Sequence, residues 1–473
     1  MNTSEEALQA RVKALEEEVE QLKFQLRGKS DGAQSDKGTM ASSKVRENSG
    51  NSKKGKRAFD FTAHPRRHVA LRLAYLGWQY QGFAVQENTD NTVEARVFEA
   101  LLKTKLIQDR QSSNYHRCGR TDKGVSAFSQ VISIDLRSSQ FSGLGVIVPA
   151  GVAPKAGNGA EPKAELHYVK MLNRVLPPDI RALSWSPVPT GFSARFDCQS
   201  RTYRYYFPRG DLDIELMAEA AKRYEGTHDY RNLCKMDVGN GVLQFQRTIT
   251  SASVQPCKPH QPSPTDPQHL HVFEVKGLAF LYHQVRCMMA VLLLIGQKLE
   301  APDIISQLLD VENNPRKPQY SMAVDYPLVL YECHFDGLSW ISEPEEESHV
   351  LSSLLQNWTQ TAVKAQVLNG MIHGLQSTDK DKALIMPCCL MEGSRQRNYR
   401  PLLERPRCES LESRIQHFVK RGRLEREEGE SGEEGSTIFR GKRSKLSHQA
   451  SSKNQEEARD NLLSQKDISL HPS

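Results

Sequence analysis

Cys118-Gly-Arg-Thr-Asp-Lys-Gly-Val-Ser-Ala-Phe-Ser-Gln-Val-Ile-Ser-Ile-Asp-Leu136 joins a turn to a strand. Thr121-Asp-Lys-Gly124 carries turn-forming residues, and from Val131 to Leu136 apolar and polar side chains alternate with the period of a half-buried strand. A loop ahead of a rigid strand can present a carboxylate to a ligand, and Arg120, two residues before Asp122, would favour its ionised form. The same residues suit a plain turn in which the Asp caps backbone N–H groups. Taken locally, the stretch is compatible with both.

Outward from it, the pattern repeats. Val69, Leu71, Leu73 and Tyr75 alternate as a strand, followed by the Gly- and aromatic-rich Leu76-Gly-Trp-Gln-Tyr-Gln-Gly-Phe-Ala-Val-Gln86. Asn91, with Glu94 three residues on, reads as the cap of a helix whose Val93, Val97 and Leu101 share a face. Tyr168, Met171, Leu172 and Val175 mark a helix stopped at Pro177-Pro178. Strand patterns recur at Arg201–Phe207, Gln244–Val254, His269–Val275 and Leu328–Cys333, and a nearly all-apolar helix runs through Arg286 to Ile295. Strands that alternate in period two between helices predict an α+β fold, its sheet covered on one face.

At either end the patterning changes. Leu8, Val12, Leu15, Val19, Leu22 and Leu26 lie four and three apart within residues 1–27, as in a short two-stranded coiled coil or an ordinary surface helix. Residues 28–64 read as a basic, disordered linker ending in Lys53-Lys-Gly-Lys-Arg57. Globular patterning is expected over 65–210, with a Gly/Ala/Pro-rich insertion at 143–162, and over 211–340. A C-terminal extension, 341–424, contains a basic helix around Leu411, Ile415 and Phe418, and 425–473 reads as a disordered tail with a second basic cluster, Arg440-Gly-Lys-Arg-Ser-Lys445. The first cluster suits a nuclear import signal, an RNA-contacting arm or a merely solvated charge run, and the second is a further candidate import signal, so a nuclear location, with a cytoplasmic pool, is expected.

Composition sets outer limits. The chain of 473 residues carries 63 Lys and Arg against 57 Asp and Glu, a mild basic excess that permits a phosphate-bearing partner. Nine scattered Cys without a Cys-x-x-Cys motif point to reduced thiols and away from a structural zinc site. The apolar run Cys287–Ile295 is too short to span a bilayer, so no membrane association is expected. His260, His269 and His271 lack a further ligand at metal-site spacing, and there is no Ser-centred nucleophile elbow or kinase motif set.

Beside Asp122, two residues stand out. Arg286 opens an apolar helix, where its charge must either pair or snorkel to the surface. Tyr203 alternates with Tyr205 and Phe207, which suits core packing or a platform for a nucleobase. Arginines interleave with these aromatics, at Arg195, Arg201, Arg204 and Arg209, a mixture that also suits RNA.

Together the segments resemble one family. Gly119-Arg-Thr-Asp-Lys-Gly-Val125 is similar to the signature loop of TruA-type tRNA pseudouridine synthases, and the resemblance extends over roughly 67–335 in the family's motif order. Tyr75–Phe83, Leu172–Ile180, Phe192–Arg195, Arg201–Tyr205, Gly226–Tyr230 and Phe280–Arg286 resemble its other motifs. Pro177-Pro178, the 143–162 insertion and Tyr399–Arg414 look most like the eukaryotic branch acting at positions 38 and 39 of the tRNA anticodon stem-loop. Leu76 and Met322-Ala-Val-Asp-Tyr-Pro327 depart from the family pattern, both off the catalytic loop. The resemblance implies two similar α+β halves sharing a mixed, mainly antiparallel sheet, with a basic active-site cleft between them. It implies isomerisation of uridine to pseudouridine in tRNA without cofactor or metal, by a homodimer. Asp122 would be the nucleophile, attacking sugar or base; Arg120 and Arg286 would keep it ionised and positioned, and Tyr203 would stack on a flipped-out base.

Overall fold

The computed structural model describes residues 59–153, 164–257, 268–375, 387–393, 398–422, 424–426 and 437–439. The heptads of 1–27, most of the basic linker, His260, both basic clusters and nearly all of the C-terminal tail lie outside the described residues. The first half of the chain supplies β1 (Arg66–Tyr75), α1 (Val93–Lys103), β2 (His116–Arg117), β3 (Ser126–Arg137), β4 (Val146–Ile147), α2 (Tyr168–Asn173) and β5 (Ile180–Pro187). Then come β6 (Ser200–Pro208), α3 (Ile214–Ala221), β7 (Gly226–Asp229), β8 (Gln246–Pro256) and β9 (Leu270–Gly277). They are followed by α4 (Gln284–Gly296), α5 (Ile304–Leu309), β10 (Leu328–His334), α6 (Pro344–Leu375) and α7 (Leu411–Lys420).

Among the described residues one ten-stranded sheet carries the fold, in the order β4-β1-β3-β10-β6-β9-β8-β7, with β5 also on β1 and β2 on β3. Its recorded pairs are antiparallel except β3–β10, which is parallel. This is the expected α+β architecture with a mixed, mainly antiparallel sheet. Two cores pack on it. Val97 and Leu101 of α1 join Leu71, Ile132 and Ile134 in one; Tyr205, Phe207, Phe273 and, from the wholly buried α4, Val285 and residues 288–295 build the other. Each fully buried Leu or Phe contributes about 1.5–3 kcal/mol through water exclusion. β10 feeds both cores, with Leu328 in the second and Leu330 and Cys333 in the first, so the sheet runs unbroken from one to the other.

Three details differ from the sequence reading. The polar face of β3 is not in water: Ser133 and Asp135 are buried. Asp135 Oδ1 lies 2.6 Å from His68 Nδ1, and the Ala194 N–H donates to Ser133 Oγ at 3.1 Å. A period-two pattern separates apolar from polar faces, but segment 192–198 covers the polar one, and hydrogen bonds make its burial tolerable. At α1 the cap is Thr92, whose side chain accepts from Ala95 N. Asn91 instead donates to Gln79 O. Glu94 turns inward to take the Val85 N–H and the side chains of Arg110, Tyr115 and Arg117. Burial alone would push the Glu94 carboxyl up, but those donors hold it below its usual range. Finally, the 32-residue α6 lies in a region read only as an extension. The spacing of Leu351, Leu354, Leu355 and Trp358 is the signal that could have found it. No helix among the described residues is long and apolar enough to cross a membrane.

Candidate active site

The loop ahead of β3 is clamped by the aromatic segment that follows β1. Phe83 N donates to Thr121 O, Gly124 N to Tyr80 O, and Gly77 N to Ser126 Oγ, at 3.1, 3.2 and 3.0 Å. The Tyr75 and Thr121 hydroxyls meet at 2.7 Å. Two glycines make this possible. A Cβ on Gly77 would stand 1.9 Å from Val125 O. Gly124 has φ +75°, and a Cβ there would stand 2.6 Å from the Asp325 carboxyl carbon. The loop is thus held by backbone and hydroxyl contacts that leave the Asp122 side chain free.

That freedom decides between the two readings of the turn. The turn closes through Val125 N to the Asp122 backbone carbonyl, at 3.2 Å. No hydrogen bond to the Asp122 carboxylate is present among the described residues, so it caps nothing. Its side chain is 18% exposed. Burial pushes the carboxyl up to about 6; Arg286 and Lys235 pull it down and Asp325 pushes it further up. A carboxylate spending stability in this way, with cations nearby, has the character of a reactive group.

Arg286 is 4% exposed and pairs with Glu392, while its Nε donates to Ala323 O at 2.8 Å. Pairing, not snorkelling, satisfies it. Its charge acts on Asp122, but no ion pair among the described residues joins them. Arg120 is exposed, and no ion pair among the described residues joins it to Asp122. Burial and the neighbouring Arg117 and Arg195 guanidiniums lower its pKa; Arg117 is itself paired with Glu94, while Arg120 and Arg195 are exposed. Two residues apart in the chain, Arg120 and Asp122 face different surroundings.

Strand register places Tyr203. Ala127 pairs with Leu330 of β10 and Leu330 with Tyr203 of β6, which sets Tyr203 two strands, about 10 Å, from the base of the loop. Its ring packs edge-on against Phe280 at 5.0 Å and touches both cores. Burial raises the hydroxyl pKa well above its usual value, with the charge of Asp122 adding to the effect. Tyr203 is therefore both a packed residue and a neighbour of the carboxylate.

Several neighbours went unread in the sequence. His283, at φ +60° just before α4, brings Nε2 to 3.7 Å from Asp122 Oδ2. Burial and then Arg286, Lys235 and Lys317 push the imidazole down to about 3, so it meets Asp122 as a neutral ring and not as an ion-pair partner. Lys235, Asp325 and Glu392 complete the electrostatic surroundings; nothing in local spacing marks them, because each reaches the site from a distant loop. A cavity of about 540 Å³ lies elsewhere, lined by Phe128, Tyr206, Tyr326, Val350 and Leu354, and neither Asp122 nor Tyr203 borders it. Among the described residues the one group of three or more His, Cys, Asp or Glu able to converge on a metal ion is Cys118, Cys198 and Cys333.

A largely enclosed, uncapped carboxylate near a tyrosine, with the exposed Arg120 two residues away in the chain, can act as a nucleophile on a ligand held by its phosphates. Comparison with known proteins agrees with such chemistry. Residues 220–336 match the family model described as tRNA pseudouridine synthase. Over 441 residues, 89% of each chain, the sequence is 53% identical to the tRNA pseudouridine(38/39) synthase of Homo sapiens. It is 42% identical over 303 residues to the Saccharomyces cerevisiae protein of that name, covering 63% of this chain and 64% of that one. It is also 28% identical over 312 residues to tRNA pseudouridine synthase A of Methanothrix thermoacetophila, covering 66% of this chain and 99% of that one.

Proposed function

This chain belongs to the tRNA pseudouridine synthase family, and from that premise we propose that it isomerises uridine to pseudouridine at positions 38 and 39 of tRNA with Asp122 as nucleophile. The observation that carries the assignment is the state of the Asp122 carboxylate: enclosed, uncapped, raised to about 6, and still mainly ionised at neutral pH. Substrate and product differ only in which ring atom bonds the sugar. The N1–C1′ bond breaks, a C5–C1′ bond forms, C5 loses a proton and N1 gains one, so the reaction is redox-neutral. A carboxylate that attacks either the sugar or the base forms a covalent intermediate, splitting one difficult exchange into two steps. The detached base then turns within the pocket before it rejoins.

The other residues take supporting parts. Arg286, fixed by Glu392 and Ala323 O, lowers the energy of the charged Asp122 without neutralising it. Tyr203 offers its ring to the base, which must leave the helical stack to reach the loop. The exposed Arg120 and Arg195 hold backbone phosphates, which makes binding weaken with salt. The test is Asp122→Asn, assayed on an anticodon stem-loop: pseudouridine formation should vanish while binding persists. Near-normal turnover would return Asp122 to a turn residue.

Self-association and a nuclear location belong to the same proposal. Along α6, Leu351, Leu355, Trp358, Val363, Val367 and Met371 are exposed, a longer apolar surface than a solvated helix usually presents. Together with the heptads of 1–27 it supports a homodimer. The clusters 53–57 and 440–445 support nuclear import, which a chain lacking both should fail to show in cells.

A further inference from the structure

Cys118, Cys198 and Cys333 lie 80 and 135 residues apart in sequence, yet their sulfurs all fall within 4.8 Å of one another. Each is buried. Cys118 starts the catalytic loop, Cys198 leads into β6, which carries Tyr203, and Cys333 stands near the end of β10 between them. Isolated buried thiols are common and behave as small apolar groups. Three that converge from separate segments are different, because three sulfurs about 2.3 Å from one cation stand about 4 Å apart, within reach of this arrangement. A cation is already provided for the charge such a site would bring. The Arg201 guanidinium donates to the carbonyls of Cys118 and Cys198, at 3.2 and 3.4 Å, and to those of Arg195 and Leu278.

We propose that these three cysteines form a thiolate site for a soft, closed-shell cation, Zn²⁺ or Cu⁺, at the root of the catalytic loop. Thiolates select such ions over hard ones. Binding displaces the thiol protons to solvent, and Arg201 offsets part of the resulting negative charge. Cu⁺ is content with three sulfurs, whereas Zn²⁺ takes a fourth ligand as well. Either ion ties together the loop carrying Asp122, the strand carrying Tyr203 and the strand between them, so the site acts on catalysis by positioning and not by chemistry. The scattered spacing of the cysteines hides it in the sequence.

The test uses the reduced, full-length chain, incubated separately with Zn²⁺ and with Cu⁺, desalted and analysed for retained metal. One of the two ions should leave one equivalent per chain, with X-ray absorption giving three sulfur neighbours at about 2.3 Å. Its loading should raise the melting temperature. Cys333→Ser and, independently, Cys198→Ala should each retain one equivalent fewer and lose that rise, with folding checked by circular dichroism. Cys389→Ser, at an exposed position, should behave as wild type. Retention of neither ion, a nitrogen and oxygen shell around the bound metal, or full retention by a folded Cys333→Ser chain would each overturn the proposal. The absorption measurement on the wild-type chain decides the matter even if both variants fail to fold.

Discussion

Replacing Asp122 by Asn should make the protein more stable while abolishing its activity, and the gain should depend on pH. The folded-state pKa of Asp122 is about 6 against a reference of 3.8. A difference of about 2 units corresponds to about 3 kcal/mol. The sign follows from linkage. A carboxyl whose pKa is raised on folding stabilises the protein below its unfolded pKa, and that contribution is lost as pH rises through the folded pKa. At pH 8 both states are ionised and the wild type carries the whole penalty; at about pH 5 it carries roughly half. The neutral amide of the variant carries none. The melting temperature of Asp122→Asn should therefore exceed that of wild type by on the order of 5 °C at pH 8, and the gap should narrow below about pH 6. Any difference in amide packing is independent of pH, so the change in the gap is the diagnostic quantity. Parallel melts at pH 5, 6, 7 and 8 measure it. In wild type, kcat/KM should fall below about pH 6 as one proton binds. A gap that is constant from pH 5 to 8 would refute the account of a buried, ionised nucleophile.

Tyr203→Phe should keep substantial activity and Tyr203→Leu should lose at least about tenfold, since base stacking is worth roughly 1–3 kcal/mol; equal rates would leave Tyr203 as core packing alone. Arg286→Gln removes the leading charge that favours ionised Asp122, so the acidic limb of the kcat/KM profile should move to higher pH; an unmoved limb would exclude that role. Gly124→Ala must adopt φ +75° at a cost of about 1 kcal/mol and drive its Cβ against Asp325, so turnover on the stem-loop should drop more than tenfold, and unchanged turnover would show that the loop can be displaced freely. A chain lacking residues 1–58 should remain dimeric by light scattering, with the α6 surface as the contact; a monomer would count against it.

Local sequence determined a good deal. Strand periodicity around Val131 and Tyr203, the apolar run after Arg286 and the turn at Thr121–Gly124 each depend on neighbours within a few residues, and each element stands where its pattern puts it. The ordered motifs carried the family. What lay beyond local reach was every property set by a partner distant in the chain. Whether Asp122 caps its turn was settled by contacts from residues 77–83, which hold the loop without its carboxylate. Whether Arg286 is paired was settled by Glu392, a residue 106 positions later. Arg120, adjacent in sequence to the site, is exposed and makes no ion pair with Asp122 among the described residues, because a loop directs neighbouring side chains to different surroundings. The insertion of β10 between β3 and β6 brought Asp122 toward Tyr203 and gathered three unremarkable cysteines into one cluster. Periodicity records which face of an element is apolar; what meets that face, and therefore charge, burial and reactivity, exists only once the chain has closed on itself.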